Sequence, residues 1–222
     1  MGTARRCAII ENVIIDPQSI PAPVAYRVLT GAIIPRPIGF ISSISTAGDV
    51  NLAPFSFFNA VCAEPPMVMF ATTNRDPAKD TLVNVTETGD FVVNIVSREI
   101  AEKMNLTAGD YPRGANEFGI AGLTAVPGDL VRPPRVLESP VNMECKVRQI
   151  IQVSSKPWGG HLILGEVVRF HVRDSIIDGD LLIDSAMLDA IGRISGPSYS
   201  TIRDRFDMIR PAIDLANLKP AK

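Results

Sequence analysis

The sequence is poor in the residues that build metal sites and disulfide frameworks. Its 222 residues include three cysteines and two histidines, and no two cysteines form a CxxC pair. The cysteines are Cys7, Cys62 and Cys145, an odd and widely spaced set that is typical of reduced thiols in a cytoplasm. We therefore predict a cytoplasmic protein without a metal site.

Aromatic residues, basic runs and long apolar runs are also scarce. Aromatic residues make up 6% of the chain, and 22 basic residues are offset by 24 acidic ones, which gives a net charge of −2. This balance argues against nucleic acid as a partner, and no apolar run is long enough to cross a membrane. Glu11 and Asn12 interrupt the apolar run that follows Arg5 and Arg6, so we expect no secretory signal. The chain has no P-loop and no GxGxxG motif, which argues against a dedicated dinucleotide-binding domain.

The length fits one large domain, and a hydrophobic content of 46% is enough for a core. We predict an N-terminal extension over residues 1–23, one domain over 24–210 and a C-terminal tail over 211–222. The predicted strands are short and mostly joined by hairpins, and they include 38–45, 67–70, 90–96, 141–148 and 162–172. This pattern predicts an antiparallel barrel with a few helices rather than a parallel sheet.

Residues 109–140 form a long connection that is rich in glycine and proline. A structureless stretch of this length in a compact domain is usually functional or mobile, and this one is a candidate lid over a site. The alternative is a meandering excursion over the surface, and both interpretations stay open at this point.

Hydroxyl and amide side chains are crowded into two segments, 35–45 and 51–59, that otherwise resemble buried strands. Buried polar groups are costly unless they find partners. Several of them together therefore predict a planar polar ligand. Arg36, between two prolines, is expected to be a surface residue.

A third segment leads from a predicted strand into a helix and carries groups that suit an anion. Asp76 is typical of a helix N-cap and Pro77 of the first helical position. Free N–H groups and the helix dipole favour an anion there, and Arg75 and Lys79 add charged donors. The alternative is a capped helix with solvated basic side chains, and Asp76 and Asp80 count against a phosphate unless they point away.

Five short motifs carry a family resemblance. In chain order they are PRPIGFISS (35–43), NLAPFSFFN (51–59), KDTLxN (79–84), GDFVVN (89–94) and HxxxGEV (161–167). With them the chain resembles the flavin reductase-like family of FMN-binding split barrels, in its longer, flavoredoxin-like branch. The resemblance implies a mainly β fold with a few helices, a six-stranded antiparallel Greek-key split β-barrel. It also implies a homodimer with FMN bound at or near the subunit interface.

The resemblance divides the candidate binding residues between the two ends of FMN. Those implied at the phosphate are Arg75, Lys79 and Thr81, with Thr73 and Asn74 beside them. Those implied at the polar edge of the ring are Ser42, Ser43 and Ser45, with backbone groups of Ala53, Pro54, Phe55 and Ser56. Side chains alternate along a strand, which favours Ser43 and Ser45 on one face, whereas the family pattern keeps Ser42.

Two further residues have two interpretations each, and a third is implied by the resemblance alone. Asn59 either closes a turn or contacts the ligand. His161 is either a structural or exposed histidine or the catalytic candidate, close to the flavin or the nicotinamide. Tyr199, together with Arg203, resembles the C-terminal segment that closes over the site in the family.

The resemblance implies an FMN-dependent oxidoreductase. NADH or NADPH would transfer a hydride to N5 of the flavin, and the electrons would pass to free flavin or another acceptor. A flavin-dependent oxygenase or a redox protein is then the expected downstream partner. Two alternatives stay open, namely an electron carrier with tightly bound FMN and no NAD(P)H turnover, and a flavin-binding module without redox turnover.

Overall fold

A computed structural model describes residues 12–212 of the chain. Cys7 and the predicted signal-free amino terminus lie outside the described residues, as do residues 213–222 of the predicted tail. Among the helices of the described part, none is both long and apolar enough to span a membrane. The domain boundaries predicted after residues 23 and 210 stay predictions.

Short helices and twelve strands make up residues 12–212. The α-helices are α1 (Ala22–Ala32), α2 (Asp80–Thr88), α3 (Ala101–Leu106), α4 (Glu117–Ala121) and α5 (Ser185–Leu188). The 3-10 helices are Pro17–Ser19, Arg98–Ile100 and Asp174–Ile176. The strands are β1 (Arg36–Pro37), β2 (Gly39–Ile44), β3 (Val50–Phe55), β4 (Phe58–Ala63), β5 (Pro66–Thr73), β6 (Asp90–Ile95), β7 (Ala125–Val126), β8 (Arg135–Val136), β9 (Val141–Ser154), β10 (Gly160–Val172), β11 (Ile191–Arg193) and β12 (Tyr199–Thr201).

Seven of the described strands form one antiparallel sheet in the order β3-β2-β6-β9-β10-β5-β4. Hairpins connect β2 to β3, β4 to β5 and β9 to β10. The first hairpin turns at Gly48, whose φ of 100° is a conformation that glycine adopts without strain. The predicted mainly β, antiparallel class is confirmed, with seven strands in the sheet instead of six.

A bend between the two edge strands closes the sheet into a barrel. Only Ser56 and Phe57 separate β3, which pairs with β2, from β4, which pairs with β5. The Phe57 carbonyl accepts a hydrogen bond of 2.8 Å from the Ala71 N–H of β5, which holds the bend. The closure is incomplete, because within residues 12–212 β3 has no partner strand on its outer side. The barrel is therefore split beside β3.

Aromatic rings fill the interior of the barrel. The Phe70 ring centroid lies 5.1 Å from that of Phe55 and 5.2 Å from that of Phe91. All three side chains are buried, and each stabilises the fold by about 2 kcal/mol through burial of apolar surface. Gly165 on β10 is required beside them, because a Cβ atom there would lie 2.3 Å from the Phe91 ring.

Residues 109–140 cover the outer face of the barrel and have structure of their own. They contribute α4 and the β7–β8 pair, and they bury Phe118 and Val136 in a second hydrophobic cluster. This cluster contains Phe40 of β2, whose side chain points away from that of Ile41 in the barrel interior. The expectation of a structureless connection is therefore wrong, because these apolar side chains pack against the barrel wall.

The buried Glu144 side chain on β9 ties this segment to the barrel. Its carboxylate accepts hydrogen bonds from the N–H groups of Asp129, Leu130 and Val131 at 2.8, 2.6 and 3.1 Å. It also lies 2.6 Å from Nε2 of His171. Burial alone would raise the Glu144 pKa, but the hydrogen bonds from Asp129, His171 and Leu130 outweigh it and lower the pKa.

Helix α2 begins at Asp80 rather than at the predicted Asp76–Pro77, so that expectation is wrong. Its N-cap residue is Lys79. The buried face starts at Thr81, which is 1% exposed, and this tertiary contact outweighs the local cap signal. The predicted end of the helix at Gly89 is confirmed, with a left-handed φ of 72°.

Arg36 is buried, so the expectation of a surface residue is wrong as well. Only 5% of its surface is exposed, and its guanidinium donates to the carbonyls of Thr30, Ile33 and Ile194 at 2.6, 2.9 and 3.0 Å. The first two carbonyls lie at the end of α1, where free C=O groups attract a cation. Arg36 therefore joins α1 and the C-terminal strands to the barrel.

Candidate functional site

A cleft opens where the start of α2 meets the outer edge of β3. It holds about 500 Å³ of empty space, part of it open to solvent, and its lining residues are Asn51, Ala53, Pro54, Arg75, Lys79, Asp80, Thr81, residues 107–111 and Glu117. An adjoining cleft shares Pro54 and Lys79 and adds Tyr26, Phe55, Ser56, Phe57, Ala71 and Thr73. We call these two clefts together the groove. Their combined extent is typical of a site for a small molecule.

Edge strand β3 forms one side of the groove. Because β3 pairs with β2 alone in the described chain, its outer backbone groups face the groove rather than another strand. Pro54, which has no N–H to donate, is tolerated there because prolines fit edge strands. The N–H of Leu52 is already used, since it donates to Oε2 of Glu117 at 3.0 Å.

The start of α2 offers N–H donors at the other side of the groove. The first N–H groups of a helix have no partner inside the helix. No side chain among the described residues caps them here. Nδ2 of Asn51 donates to Oγ1 of Thr81 at 2.9 Å, which fixes this first turn against β3. Uncapped N–H groups and the helix dipole together favour an anion.

Two cations and three carboxyl groups face the groove. Nη1 of Arg75 lies 2.6 Å from Oδ1 of Asp110. Burial lowers the pKa of Lys79, the charge of Arg75 lowers it further, and Asp110 offsets part of this. Asp80 is among the lining residues, so the charge that counts against a phosphate is present in the groove.

Glu117, the third of these carboxyl groups, is buried at 6% exposure. Burial raises its pKa, hydrogen bonds from its own N–H and that of Leu52 lower it, and the charge of Asp80 raises it again. The net shift is upward, so the neutral form persists to higher pH than for an exposed glutamate. Protonation of Glu117 removes one negative charge from the groove.

Most of the predicted binding residues come together in the groove. The residues predicted to bind a phosphate lie together at the start of α2. The residues predicted to bind a ring lie along β3 and the bend after it. The residues that line the groove are Ala53, Pro54, Phe55, Ser56, Thr73, Arg75, Lys79 and Thr81. That each contacts a ligand stays a prediction.

The three predicted serines have partners inside the protein instead. Oγ of Ser42 donates to a backbone carbonyl just before β8. Oγ of Ser43 accepts a hydrogen bond of 3.1 Å from Nδ2 of Asn84, and Ser45 exchanges hydrogen bonds with Asp49 across the hairpin turn. All three side chains are buried. The structure does not bring their hydroxyls to the groove, because each satisfies another polar group of the fold.

Both predicted asparagines also have partners in the protein. Nδ2 of Asn74 donates to the carbonyls of Ser154 and Lys156 at 2.7 and 2.9 Å, which holds the turn between β9 and β10. Asn59 is exposed on β4, and its side chain accepts a hydrogen bond of 2.9 Å from the N–H of Ala60. Neither residue is among those that line the groove.

His161 lies opposite Thr72 in the ladder between β10 and β5. Both side chains share a face with Ile163 and Phe70, which belong to the barrel core. Nδ1 of His161 and Oγ1 of Thr72 are buried, and neither has a hydrogen-bond partner among residues 12–212. His161 does not line the groove, and its catalytic role stays a prediction.

Tyr199 lies at a separate cleft between α3 and the β11–β12 pair. Its hydroxyl contacts Arg193 and donates to Oδ1 of Asn105 at 3.3 Å, and the Arg193 guanidinium lies 4.5 Å from the centroid of its ring. Arg203 forms an ion pair of 2.6 Å with Asp189. Within one copy of the chain, neither Tyr199 nor Arg203 is brought to the groove.

No individual role was predicted for Asn51, Glu117 or residues 107–111, although 109–140 was a candidate lid over the site. Asn51 is the first residue of the motif NLAPFSFFN, so the sequence did mark its position as part of the site. A local signal also existed for α4, because Asn116 caps it by accepting from the N–H of Gly119 at 3.3 Å. The contact of α4 with β3 is a long-range one, which local patterns do not reveal.

One cluster outside the groove resembles a metal site, namely Asp129, Glu144 and His171. Each oxygen of Glu144 already takes part in two hydrogen bonds. The Asp129 carboxylate forms an ion pair of 2.8 Å with Arg169. Because these groups are occupied by protein partners, we assign the cluster a structural role.

Comparison with known proteins places the chain in a described family. The family model described as a flavin reductase like domain matches residues 31–191. An uncharacterized protein of Aquifex aeolicus is 43% identical over 176 residues, which are 78% of this chain and 88% of that protein.

Two solved structures are similar over most of their length. The crystal structure of nitrilotriacetate monooxygenase component B from Bacillus cereus has a TM-score of 0.86 and 32% identity, over 90% of this chain and 100% of that one. The structure of the 2-nitrobenzoate 2-nitroreductase NbaA from Pseudomonas fluorescens has a TM-score of 0.82 and 32% identity, over 90% of this chain and 96% of that one.

Proposed function

The chain belongs to the family of the flavin reductase like domain, and we propose that it binds FMN in the groove and reduces it with NADH or NADPH. The observation that carries the proposal is the uncapped start of α2, with Arg75 and Lys79 beside it. This anion-binding end opens onto a longer groove along β3, which suits a flat ring. Family membership supports oxidoreductase chemistry, and the choice of FMN rests on this geometry.

The phosphate of FMN would bind at the first turn of α2. N–H groups of the helix start and the hydroxyl of Thr81 would donate to its oxygens. Arg75 would add a fork of charged donors and Lys79 a point charge. FMN ends in a terminal phosphate, so one anion site of this kind matches it.

The ring of FMN would lie along the edge of β3. Ala53 is small enough for the backbone to come close to a ring, and the outer backbone groups of β3 have no ladder partner in the described chain. Tyr26 and Phe57 line the adjoining cleft, with their ring centroids 6.3 Å apart, and would exclude water from one side. FMN bound there would supply the redox chemistry, namely acceptance of a hydride from a nicotinamide and transfer of electrons onward. The protein has to position the two rings and needs no acid–base residue for that transfer.

A homodimer would complete the groove. A further cleft, mainly apolar, shares Tyr26, Phe57 and Thr73 with the groove and extends over α1 to Trp158. Large apolar side chains are exposed around it, with Leu29 at 49% and Trp158 at 56%. Such a patch is typical of an interface, and we propose that a second copy of the chain covers it.

The downstream partner would be a flavin-dependent oxygenase. This part of the proposal rests on the 32% identity to a protein described as component B of a monooxygenase. The predicted cytoplasmic location rests on the cysteine pattern and stays a prediction.

Purified protein mixed with FMN and NADH, or with FMN and NADPH, tests the proposed activity. We expect the protein peak to carry bound flavin when gel filtration is run in a buffer that contains FMN. We also expect the absorbance of the nicotinamide to fall only when flavin is present. Bound FMN that only dithionite or a redox protein reduces would instead support an electron carrier. Bound flavin with no reduction by either would leave a binding module, and absence of any flavin binding would contradict the proposal.

A second candidate function is reduction of a nitroaromatic acceptor. It is favoured by the 32% identity to a 2-nitrobenzoate 2-nitroreductase. The same assay with 2-nitrobenzoate added tests it, because nicotinamide oxidation should then become coupled to loss of the nitro compound. Oxidation at an unchanged rate, with the nitro compound recovered intact, would exclude this candidate.

A further inference from the structure

Asp110 forms an ion pair across the groove at the point where the proposed function places the phosphate of FMN. Its Oδ1 lies 2.6 Å from Nη1 of Arg75, and both residues line the cleft. Arg75 belongs to the segment before α2, and Asp110 belongs to the turn after α3. The pair therefore connects two walls of the cleft that are 35 residues apart in the chain.

Of the three carboxyl groups that line this cleft, Asp110 is the most free to move away. Its side chain is 88% exposed, whereas that of Arg75 is 34% exposed. Glu117 is buried and bonded to β3. Asp80 is partly buried in the first turn of α2. Asp110 can thus be separated from the cleft without uncovering a buried group.

The turn that carries Asp110 is compact, so its backbone stays beside Arg75 while the exposed side chain of Asp110 can rotate away. Hydroxyl Oη of Tyr111 donates to the Leu106 carbonyl at 3.0 Å, and the N–H of Tyr111 donates to the Gly109 carbonyl at 3.1 Å. The Tyr111 ring packs over Gly109, where a Cβ atom would lie 3.0 Å from a ring carbon.

These contacts set up a competition for one guanidinium. A phosphate at the start of α2 would draw Arg75 into charge-assisted hydrogen bonds that resemble the pair it now makes with Asp110. Arg75 has to give up that pair, and a phosphate dianion beside Asp110 would also be repelled. Both effects weaken binding of a phosphorylated flavin and leave an uncharged flavin unaffected.

We propose that Asp110 competes with the phosphate of FMN for Arg75 and thereby sets how readily FMN exchanges with solution. The proposal rests on the function proposed above and adds an affinity-determining residue to it. With Asp110 present, FMN leaves more easily, which suits a protein that supplies reduced flavin to others. Without this carboxylate the same groove would retain FMN as a fixed group.

The test compares binding of FMN and riboflavin to the full-length wild type and to Asp110→Asn. We expect the variant to bind FMN about fivefold more tightly, mainly through slower dissociation, and to bind riboflavin as the wild type does. The gain should shrink when the salt concentration rises, because the competing charges are exposed. Stopped-flow mixing with flavin fluorescence as the signal gives both rate constants.

Asp129→Asn is the matched control, because Asp129 forms an exposed ion pair with Arg169 outside the groove. It should leave the binding of both flavins unchanged. If Asp110→Asn unfolds, Asp110→Ser serves the same purpose, since either change removes the charge. Unchanged or weaker FMN binding in the folded variant would overturn this inference and leave the proposed function standing. Failure of the wild type to bind any flavin would overturn both.

Discussion

Single side chains decide the electrostatic balance of the groove. Arg75 and Lys79 provide two positive charges, whereas Asp80, Asp110 and Glu117 provide up to three negative ones. An anion can bind to such a site only where the cations and helix N–H groups are closer to it than the carboxylates are. Protonation of Glu117 and displacement of Asp110 are the two changes that shift this balance toward an anion.

Glu117→Gln should remove a pH dependence of stability. Burial and the charge of Asp80 raise the pKa of Glu117 in the folded protein. Glu117 therefore makes its full contribution to the stability of the wild type below the unfolded pKa, near 4.5. That contribution is lost as the pH rises through the raised folded pKa. Glutamine resembles the neutral carboxyl group and keeps an acceptor for the Leu52 N–H.

Urea unfolding from about pH 4 to about pH 8 measures the effect. The free energy of unfolding of the wild type should fall relative to that of Glu117→Gln as the pH rises. Glu102→Gln is the control, because that side chain is 88% exposed and lies outside the groove. A wild type that instead gains stability relative to Glu117→Gln with rising pH would contradict the assignment.

Short elements of residues 109–140 are held in place by contacts with the barrel rather than by their own propensities. Helices as short as α4 are not stable alone in water. Glu144 accepts hydrogen bonds from three consecutive N–H groups before β8, and α4 buries Phe118 in the outer hydrophobic cluster. The position of Glu117 at the groove therefore depends on this packing.

Glu144→Gln should loosen the segment that Glu144 holds. An amide has one acceptor oxygen where the carboxylate has two, so at least one of the bonded N–H groups loses its partner. We expect a loss of about 2 kcal/mol in the free energy of unfolding and faster hydrogen exchange at residues 129–131. Glu138→Gln is a matched comparison, because Glu138 accepts a hydrogen bond of 3.1 Å from the N–H of Thr124. This substitution should speed hydrogen exchange at Thr124 instead. Equal protection of residues 129–131 in both variants would refute the role of Glu144.

The sequence predicted the elements that form the groove better than the contacts within it. Residues 51–59 and 71–81 were placed at the site because their polar side chains and the helix start are local signals, and both segments line the groove. Ser42 and Ser43 of β2, and Ser45 just after it, gave the same signal, yet they bond to a backbone carbonyl, to Asn84 and to Asp49. Composition shows that a buried hydroxyl needs a partner, but only the fold shows which partner it has.

Closure of the barrel brings the groove and an apolar surface together in the whole molecule. The bend at residues 56–57 joins β3 to β4, and it places Phe57 where the groove meets α1. The Tyr26 ring lies 5.8 Å from that of Trp158, so α1 and the β9–β10 turn form one exposed apolar face. A face of this kind beside a binding groove is where a second copy would complete a flavin site.

Leu29→Glu should convert the proposed homodimer into a monomer. The side chain is 49% exposed on α1, so the charge is tolerated in a single copy but not in an apolar interface. Light scattering after gel filtration measures the mass, and we expect a dimer for the wild type and a monomer for the variant. The Leu137 side chain is 57% exposed outside this face, so the Leu137→Glu variant should stay dimeric. A monomeric wild type, or a dimeric Leu29→Glu variant, would contradict the proposed interface.

The central claim is that the phosphate of FMN binds at the start of α2, and a comparison of two flavins tests it most directly. Arg75→Ala combined with Lys79→Ala should weaken FMN binding on the order of a hundredfold, since two charge-assisted contacts are lost. Riboflavin, which lacks the phosphate, should bind to this double variant nearly as it binds to the wild type. Arg98→Ala, which removes an exposed charge outside the groove, should change neither affinity. Equal losses of FMN and riboflavin binding would show that the phosphate is held elsewhere.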